Sequence, residues 1–325
     1  MVMALACILT SAALADDRRE IAVHGTVRAA LLENHGSGVV VADQSPQGST
    51  VIFFDDAGDV RLETDLTIKS AVRRVGPRGL FGLVAGEENS ARYVVLEQRG
   101  RAMETVWDSD KLTLAPRHRL QHAVTSDDGT MWAAVSATPQ GAVQVLIGEL
   151  PSHRFVTRTT LKPADGPLMT SDAPTVTWLR ADKKQPVVAL NLGRSARIIG
   201  GDRTGQPVRV LYAGSVSTIK AQPAAGRVWV RGGRGLLAFE IDSGRQRFTF
   251  PMPASRSIED FFPLEDGTLA VVTSAKGKER KLEIRTPQGE ARGSFAIRER
   301  SPRISPDGRS IAEVSDGTVV VKRLR

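Results

Sequence analysis

Residues 303–323 read RISPDGRSIAEVSDGTVVVKR. Ser305-Pro306-Asp307-Gly308 is a tight-turn signal: proline presets φ, aspartate caps the local backbone, and glycine reaches positive φ. Short apolar runs follow it, far too brief for helices and bounded by turn residues, so they read as strands. The same turn-then-strand unit recurs upstream. Ser37-Gly38 precedes VVVAD, Arg78-Gly79 precedes LFGLVAG and Asp128-Gly129 precedes TMWAAVS. Gln185-Pro186 precedes VVALNLG, Gly226-Arg227 precedes VWVRG and Asp266-Gly267 precedes TLAVVTS.

Successive turns are 41, 50, 57, 40, 41 and 41 residues apart. A period near 40–45 residues with four short strands per unit is the mark of a β-propeller. Within each unit a second strand, a Gly-containing turn and a third strand follow, as in LLAFEIDSGRQRFTF, residues 236–250. No segment has an apolar period of 3.6, so the fold class is all-β: one seven-bladed propeller over residues 16–325. The last unit has three strands before Arg325, and Ile21 to Gly25 offer a spare one. That N-terminal strand is expected to complete the last blade and remove exposed sheet edges. The long gaps place insertions near Asp108–Arg119 and Pro151–Pro174.

Residues 1–15, MVMALACILTSAALA, form an uncharged apolar run ending Ala13-Leu14-Ala15 before two aspartates. Small residues at both cleavage positions read as a secretory signal cut after Ala15, although a basic leading segment is missing; a buried N-terminal strand is the other reading. The run is shorter than the ~20 residues that span a bilayer. A periplasmic or secreted protein follows. Cys7, the only cysteine, would leave with the signal, so no disulfide is expected. The net charge of +8 stays with the remaining chain and suits an anionic partner, or serves solubility alone.

The Pro302–Ala312 segment is similar to the repeat of TolB-type, WD-repeat-like propellers, with weaker copies at Ser126–Gly129 and Leu264–Gly267. Leu236–Arg245 resembles a repeat of pyrroloquinoline-quinone propellers, but the tryptophan after the turn is absent and Phe248 stands nearby. The recurring Gly-His and Trp-Asp of WD-repeat proteins are reduced to one Trp107-Asp108. The TolB resemblance implies an exported protein that binds protein partners, and supplies no catalytic residue.

There is no Gly-x-Ser-x-Gly, His-Glu-x-x-His or EF-hand loop. Asp55–Asp59 reads as an acidic hairpin turn, and His118 and His122 as strand or surface histidines. No catalytic, cofactor-binding or metal residue is assigned, and the cofactor is left unknown. A second reading, a propeller hydrolase or lactonase with a metal in the central channel, would draw on Glu240 and Asn191. A lectin is disfavoured by only 16 aromatic residues for stacking, and nucleic acid by basic loops without interleaved aromatics.

Sorting loops by face gives the one inference with functional reach. Loops joining second to third strands share a face with loops joining blades. Over blades four to six that face collects Arg194, Arg197, Arg231, Arg234, Lys276, Lys278, Arg280 and Lys281, the expected partner-binding residues. The insertions add Lys111, Arg117, His118, Arg119 and Lys162. The opposite face collects Asp56, Asp59, Asp127, Asp128, Asp182, Asp242, Asp266 and Asp307, diluted by Lys183, Lys184, Arg245 and Arg309, so the contrast is partial. The chain is therefore read as a non-catalytic exported binding or scaffold protein, for an anionic or protein partner in the cell envelope.

Overall fold

The computed structural model describes residues 18–33, 36–45, 48–66, 70–75, 81–85, 92–99, 102–161, 173–200, 208–233, 235–250, 256–275, 280–297, 302–315 and 318–324. The run read as a signal lies outside them.

Strand β1 (Arg18–Ala22) comes first and stands apart from the strands that follow it. Blade one is β2 (Thr26–Leu32), β3 (Gly38–Ser45), β4 (Gly48–Phe54) and β5 (Val60–Leu66). Blade two is β6 (Ser70–Val75), β7 (Phe81–Ala85), β8 (Arg92–Arg99) and β9 (Ala102–Asp108). Blade three is β10 (Arg119–Thr125), β11 (Met131–Ala137), β12 (Val143–Glu149) and β13 (Phe155–Leu161). Blade four is β14 (Thr175–Arg180), β15 (Val187–Asn191), β16 (Ser195–Gly200) and β17 (Arg209–Ala213). Blade five is β18 (Val216–Gln222), β19 (Arg227–Gly232), β20 (Gly235–Glu240) and β21 (Gln246–Phe250). Blade six is β22 (Arg256–Pro263), β23 (Leu269–Ala275), β24 (Arg280–Arg285) and β25 (Ala291–Ile297). Blade seven is β26 (Arg303–Ile304), β27 (Ser310–Ser315) and β28 (Thr318–Arg323), with β1 as its outer strand. The protein is thus all-β, with seven four-stranded antiparallel sheets.

The spare strand completes blade seven as expected, but it lies three residues earlier than the Ile21–Gly25 reading places it. Ile21 sits opposite Val319 and Arg18 opposite Lys322. Among the described residues no strand ladder joins one sheet to the next; side chains join them. Buried apolar residues form seven clusters, one at each junction between successive blades. In β11, Met131, Ala133 and Val135 face blade four while Trp132 and Ala134 face blade two. A middle strand sandwiched between neighbours buries both faces, which is why MWAAVSA is continuously apolar rather than alternating. From blade seven round through blade one to blade six, the first strands of successive blades touch, so they line the centre of the ring.

The Asp-Gly pairs do what their chemistry predicts. Gly308 N donates to Ser305 O (2.9 Å) with φ +70°, a region that favours glycine. Asp307 Oδ1 accepts from the Arg309 N–H and the Ser305 hydroxyl. Asp128 and Asp266 cap the N–H groups of Thr130 and Thr268 in the same way. The first insertion, after Asp108, is a short 3-10 turn (Ser109–Lys111) and a coil leading to β10. The second expected insertion is partly a misreading: Phe155–Leu161 is the outer strand of blade three, pairing with β12.

The junction of blades two and three contains a histidine whose surroundings disfavour its charged form. His153 stacks on Trp107 (centroids 6.0 Å apart, 5° between planes), and its Nε2 accepts from Asp108 N (3.1 Å). Burial first, then the Lys111 charge, lower its pKa; Asp108 opposes them. A depressed pKa means the folded state prefers neutral imidazole. The stability this provides is complete above the unfolded value of about 6.5 and is lost as pH falls through the lower folded value. Acidification below about pH 6.5 is therefore expected to lower the melting temperature and shift tryptophan emission. His153→Gln should remove that acid step; an identical pH profile in the variant would refute the assignment.

Candidate interaction surfaces

Backbone bonds fix the two faces of the ring. Gly214 N donates to Arg194 O (2.9 Å) and Val216 N to Gly193 O (2.7 Å). The β15–β16 turn therefore holds the link between blades four and five, on one face. On the other, Ile241 N donates to Gly226 O (3.0 Å), joining the third-to-fourth and first-to-second strand turns of blade five, and Glu265 N donates to Pro306 O (3.1 Å), joining the first-to-second strand turns of blades six and seven.

The residues expected on the basic face take different positions. Arg194 is exposed in its turn. Arg197 is not a loop residue: it lies in β16, opposite Leu190, and is 5% exposed. Arg231 lies half-buried near the end of β19, and its Nη1 donates to Glu259 O (2.6 Å). Arg280 opens β24, and its Nε donates to Glu259 Oε2 (2.8 Å). These two guanidiniums converge on Glu259 of β22 instead of standing free: Arg231 ties blade five to blade six, and Arg280 pairs within blade six. Lys281 is half-buried beside Arg280. Arg234, Lys276 and Lys278 lie outside the described residues, as does Lys162. The link from blade two to blade three supplies exposed Lys111, Arg117 and Arg119.

One charged group in the channel wall carries no sequence signal beyond a lysine in an alternating strand. Lys220 of β18 donates to Asp260 Oδ1 (2.8 Å) and Phe261 O (2.6 Å), its ammonium 4.0 Å from the Phe262 ring centroid. Burial is the largest influence and lowers the Lys220 pKa; Asp260 opposes it, while Arg303 and Arg231 reinforce it. Lysine and aspartate come from adjacent innermost strands, so the pair joins blades five and six at the ring's centre.

The groups considered for a channel metal are elsewhere. Asn191 ends a second strand, where its Oδ1 accepts from Gly193 N (2.8 Å). Glu240 ends a third strand and accepts from Ser243 Oγ (2.5 Å) and from Arg247. Its pKa is lowered, chiefly by the Ser243 hydroxyl. Asp55 accepts from Ala57 N and Asp59 N and pairs with Arg61. The Asp59 N–H is the largest influence on its lowered pKa. His118 Nδ1 meets Ser136 Oγ (3.2 Å), and His122 Nδ1 accepts from Val176 N (3.4 Å). Among the described residues, no three or more His, Cys, Asp or Glu side chains converge closely enough to hold a metal ion.

The other face holds a cleft of about 510 Å³ between the turns of blades three, four and five. Asp127, Asp128, Asp182 and Asp242 line it, with Arg180 among them. Arg180 and Asp242 form an ion pair although 62 residues separate them.

With this geometry, solved structures can be compared. A chain from the crystal structure of the mitotic checkpoint complex matches all of this chain and 99% of its own, at 13% identity and a TM-score of 0.57. The fold is WD40-like. No protein-family model and no curated protein matches the sequence. Structural likeness extends to 658 solved chains, a breadth that identifies an architecture rather than an activity. No helix of the WD40-like ring, among the described residues, is long and apolar enough to cross a membrane.

Proposed function

We propose that the chain is an exported, non-catalytic propeller of the TolB type that binds or scaffolds proteins of the cell envelope. Its blade-joining face meets an acidic protein surface. The observation that carries this reading is the exposure of Lys111, Arg117, Arg119 and Arg194 around blade-joining segments of a chain with net charge +8. Exposed charge of one sign raises association rates with an oppositely charged partner more than it raises final affinity. The Ser-Pro-Asp-Gly repeat supports the TolB resemblance, and Ala13-Leu14-Ala15 supports export to the periplasm or beyond.

The test is capture from envelope extract by the exported protein, whose N-terminus is expected at Asp16. Arg119→Glu, Arg194→Glu and Lys281→Glu together reverse three charges without touching the Glu259 network's two guanidiniums. Capture is expected to fall at least about tenfold, with salt mimicking the loss in the native protein. Unchanged capture by the triple variant would overturn the basic-face reading.

A further inference from the structure

The positive charge of the chain is gathered on the strands that line its centre. Each of the seven first strands, one per blade, carries at least one arginine or lysine. Within those strands Glu259 and Asp260, both in β22, are the only acids. The blades of a propeller stand around a central channel, so these strands surround an opening. Two of the cations are matched nearby: Arg180 pairs with Asp242, and Arg256 with Glu283 (3.5 Å). On the wall built by blades five, six and seven the matching fails.

Three cations gather there, with Lys220 in electrostatic reach of both Arg231 and Arg303. One carboxylate is bonded to the group: Asp260 Oδ1 accepts from Lys220 Nζ (2.8 Å) and from Phe261 N (2.8 Å). Arg231 donates to a neutral carbonyl, Glu259 O. Arg303 is half-buried, and among the described residues its guanidinium has no hydrogen bond or ion pair. Ile304 packs into the junction of blades six and seven, so strand alternation turns Arg303 toward blade one. There β2, in contact with β26, carries Arg28. Burial first, then the charges of Arg303 and Arg231, work against the Lys220 ammonium, with Asp260 opposing them.

Like charges partly shielded from water repel one another, and an unused donor there lacks the bond that would offset its desolvation. Among the described residues, one N–H of Lys220 and most of the Arg231 fork have no acceptor. The Lys220 side chain keeps 27% of its surface exposed, which leaves it within reach of a ligand. An anion supplies both the missing acceptors and the opposite charge. A phosphate group brings about −1.5 to −2 charges and three acceptor oxygens in one small tetrahedron, and guanidinium forks match those oxygens in pairs. Acidic side chains bring one charge each on separate arms, which suits a groove better than a ring. We propose that the central channel binds a compact anion bearing several phosphate groups, held by Lys220, Arg231 and Arg303. The site does not rest on the basic-face interaction, because none of these three residues is among the charges that interaction uses.

The probe is tripolyphosphate, titrated calorimetrically into the full-length exported protein at constant ionic strength. Saturable binding is expected, and Arg303→Gln should weaken it about tenfold, with Arg231→Gln in the same chain weakening it further. Lys111→Gln with Arg117→Gln removes two exposed charges from a blade link and should leave binding within about twofold. Without ligand, Arg303→Gln should melt no lower than the native protein, since it removes repulsion and breaks no bond. Tripolyphosphate should raise the melting temperature of the native protein and not that of the Arg231/Arg303 double variant. Absence of saturable binding would overturn the proposal, and so would an equal loss in the Lys111/Arg117 pair, which would reduce the effect to general charge. Lower melting of ligand-free Arg303→Gln would make that arginine a structural contact, with the same consequence. Tighter binding of a Gly/Ser peptide carrying two glutamates would give the channel to an acidic protein segment instead. Failure of capture through the basic face would leave all of these outcomes untouched.

Discussion

Protein lacking residues 1–23 is expected to melt about 10 °C lower than protein lacking only residues 1–15, and to elute as larger species than it does. The cause is local and large. Residues Arg18 to Ala22 pair with Lys322 to Thr318 of β28, and Ile21 and Val23 are 2% and 5% exposed in the junction between blades seven and one. Burying two such side chains contributes about 1.5–3 kcal/mol each, before any loss of strand pairing is counted. A total near 5 kcal/mol is a large share of the ~5–15 kcal/mol that holds a typical native protein. Deletion also leaves β28 as a bare edge, an invitation to pair with another chain. Ile21→Ala should reproduce about 2–5 kcal/mol of the loss without creating that edge. Denaturant midpoints and size-exclusion profiles check both effects. A truncated protein as stable as the longer one would mean that β1 does not hold the ring.

Gln222→Leu is expected to cost about 2–4 kcal/mol, a large penalty for a substitution of nearly equal volume. Gln222 is 2% exposed, yet every bond it makes is satisfied. Its Nε2 donates to Leu264 O (2.8 Å) and Thr268 O (3.0 Å), across the junction into blade six. Its Oε1 accepts from the indole N–H of Trp229 (2.9 Å), which is fully buried. The two carbonyls keep backbone partners in the Leu264–Thr268 turn. The indole N–H does not, and an orphaned buried donor carries its full desolvation cost. Trp229→Phe in the Gln222→Leu background should therefore cost less than the sum of the single changes, because it removes the orphan. A double-mutant cycle by chemical denaturation measures that coupling. Strict additivity would show that the bond contributes nothing to stability.

These two expectations mark where the sequence stops being sufficient. The repeat was legible because its information is local. Ser305-Pro306-Asp307-Gly308 turns the chain with groups that lie within five residues of each other. The apolar runs of β11, β19 and β23 show strands buried on both faces, and the three-stranded last unit implies a partner strand from the other end of the chain. Period, turn chemistry and strand count together determine seven blades and the sorting of loops to two faces.

Side-chain destinations are not local. Arg197 looks like a loop cation in the sequence because VVALNLGRSARIIG gives no sign that the strand begins at Ser195; the tertiary structure buries it in β16. Arg231 and Arg280 look like two free charges, but Glu259, 28 and 21 residues away, draws both inward. Asp242 and Arg180 meet across 62 residues, and only that meeting, with Asp127 brought in from a third blade, creates the acidic cleft. By itself the sequence determined the ring, its closure and the sign of charge each set of turns carries, because hydrogen-bonded turns and two-sided burial act between neighbours along the chain. The tertiary structure alone decided which charges hold blades together and which face a partner. That choice depends on groups brought into contact from separate blades, at distances no residue spacing encodes.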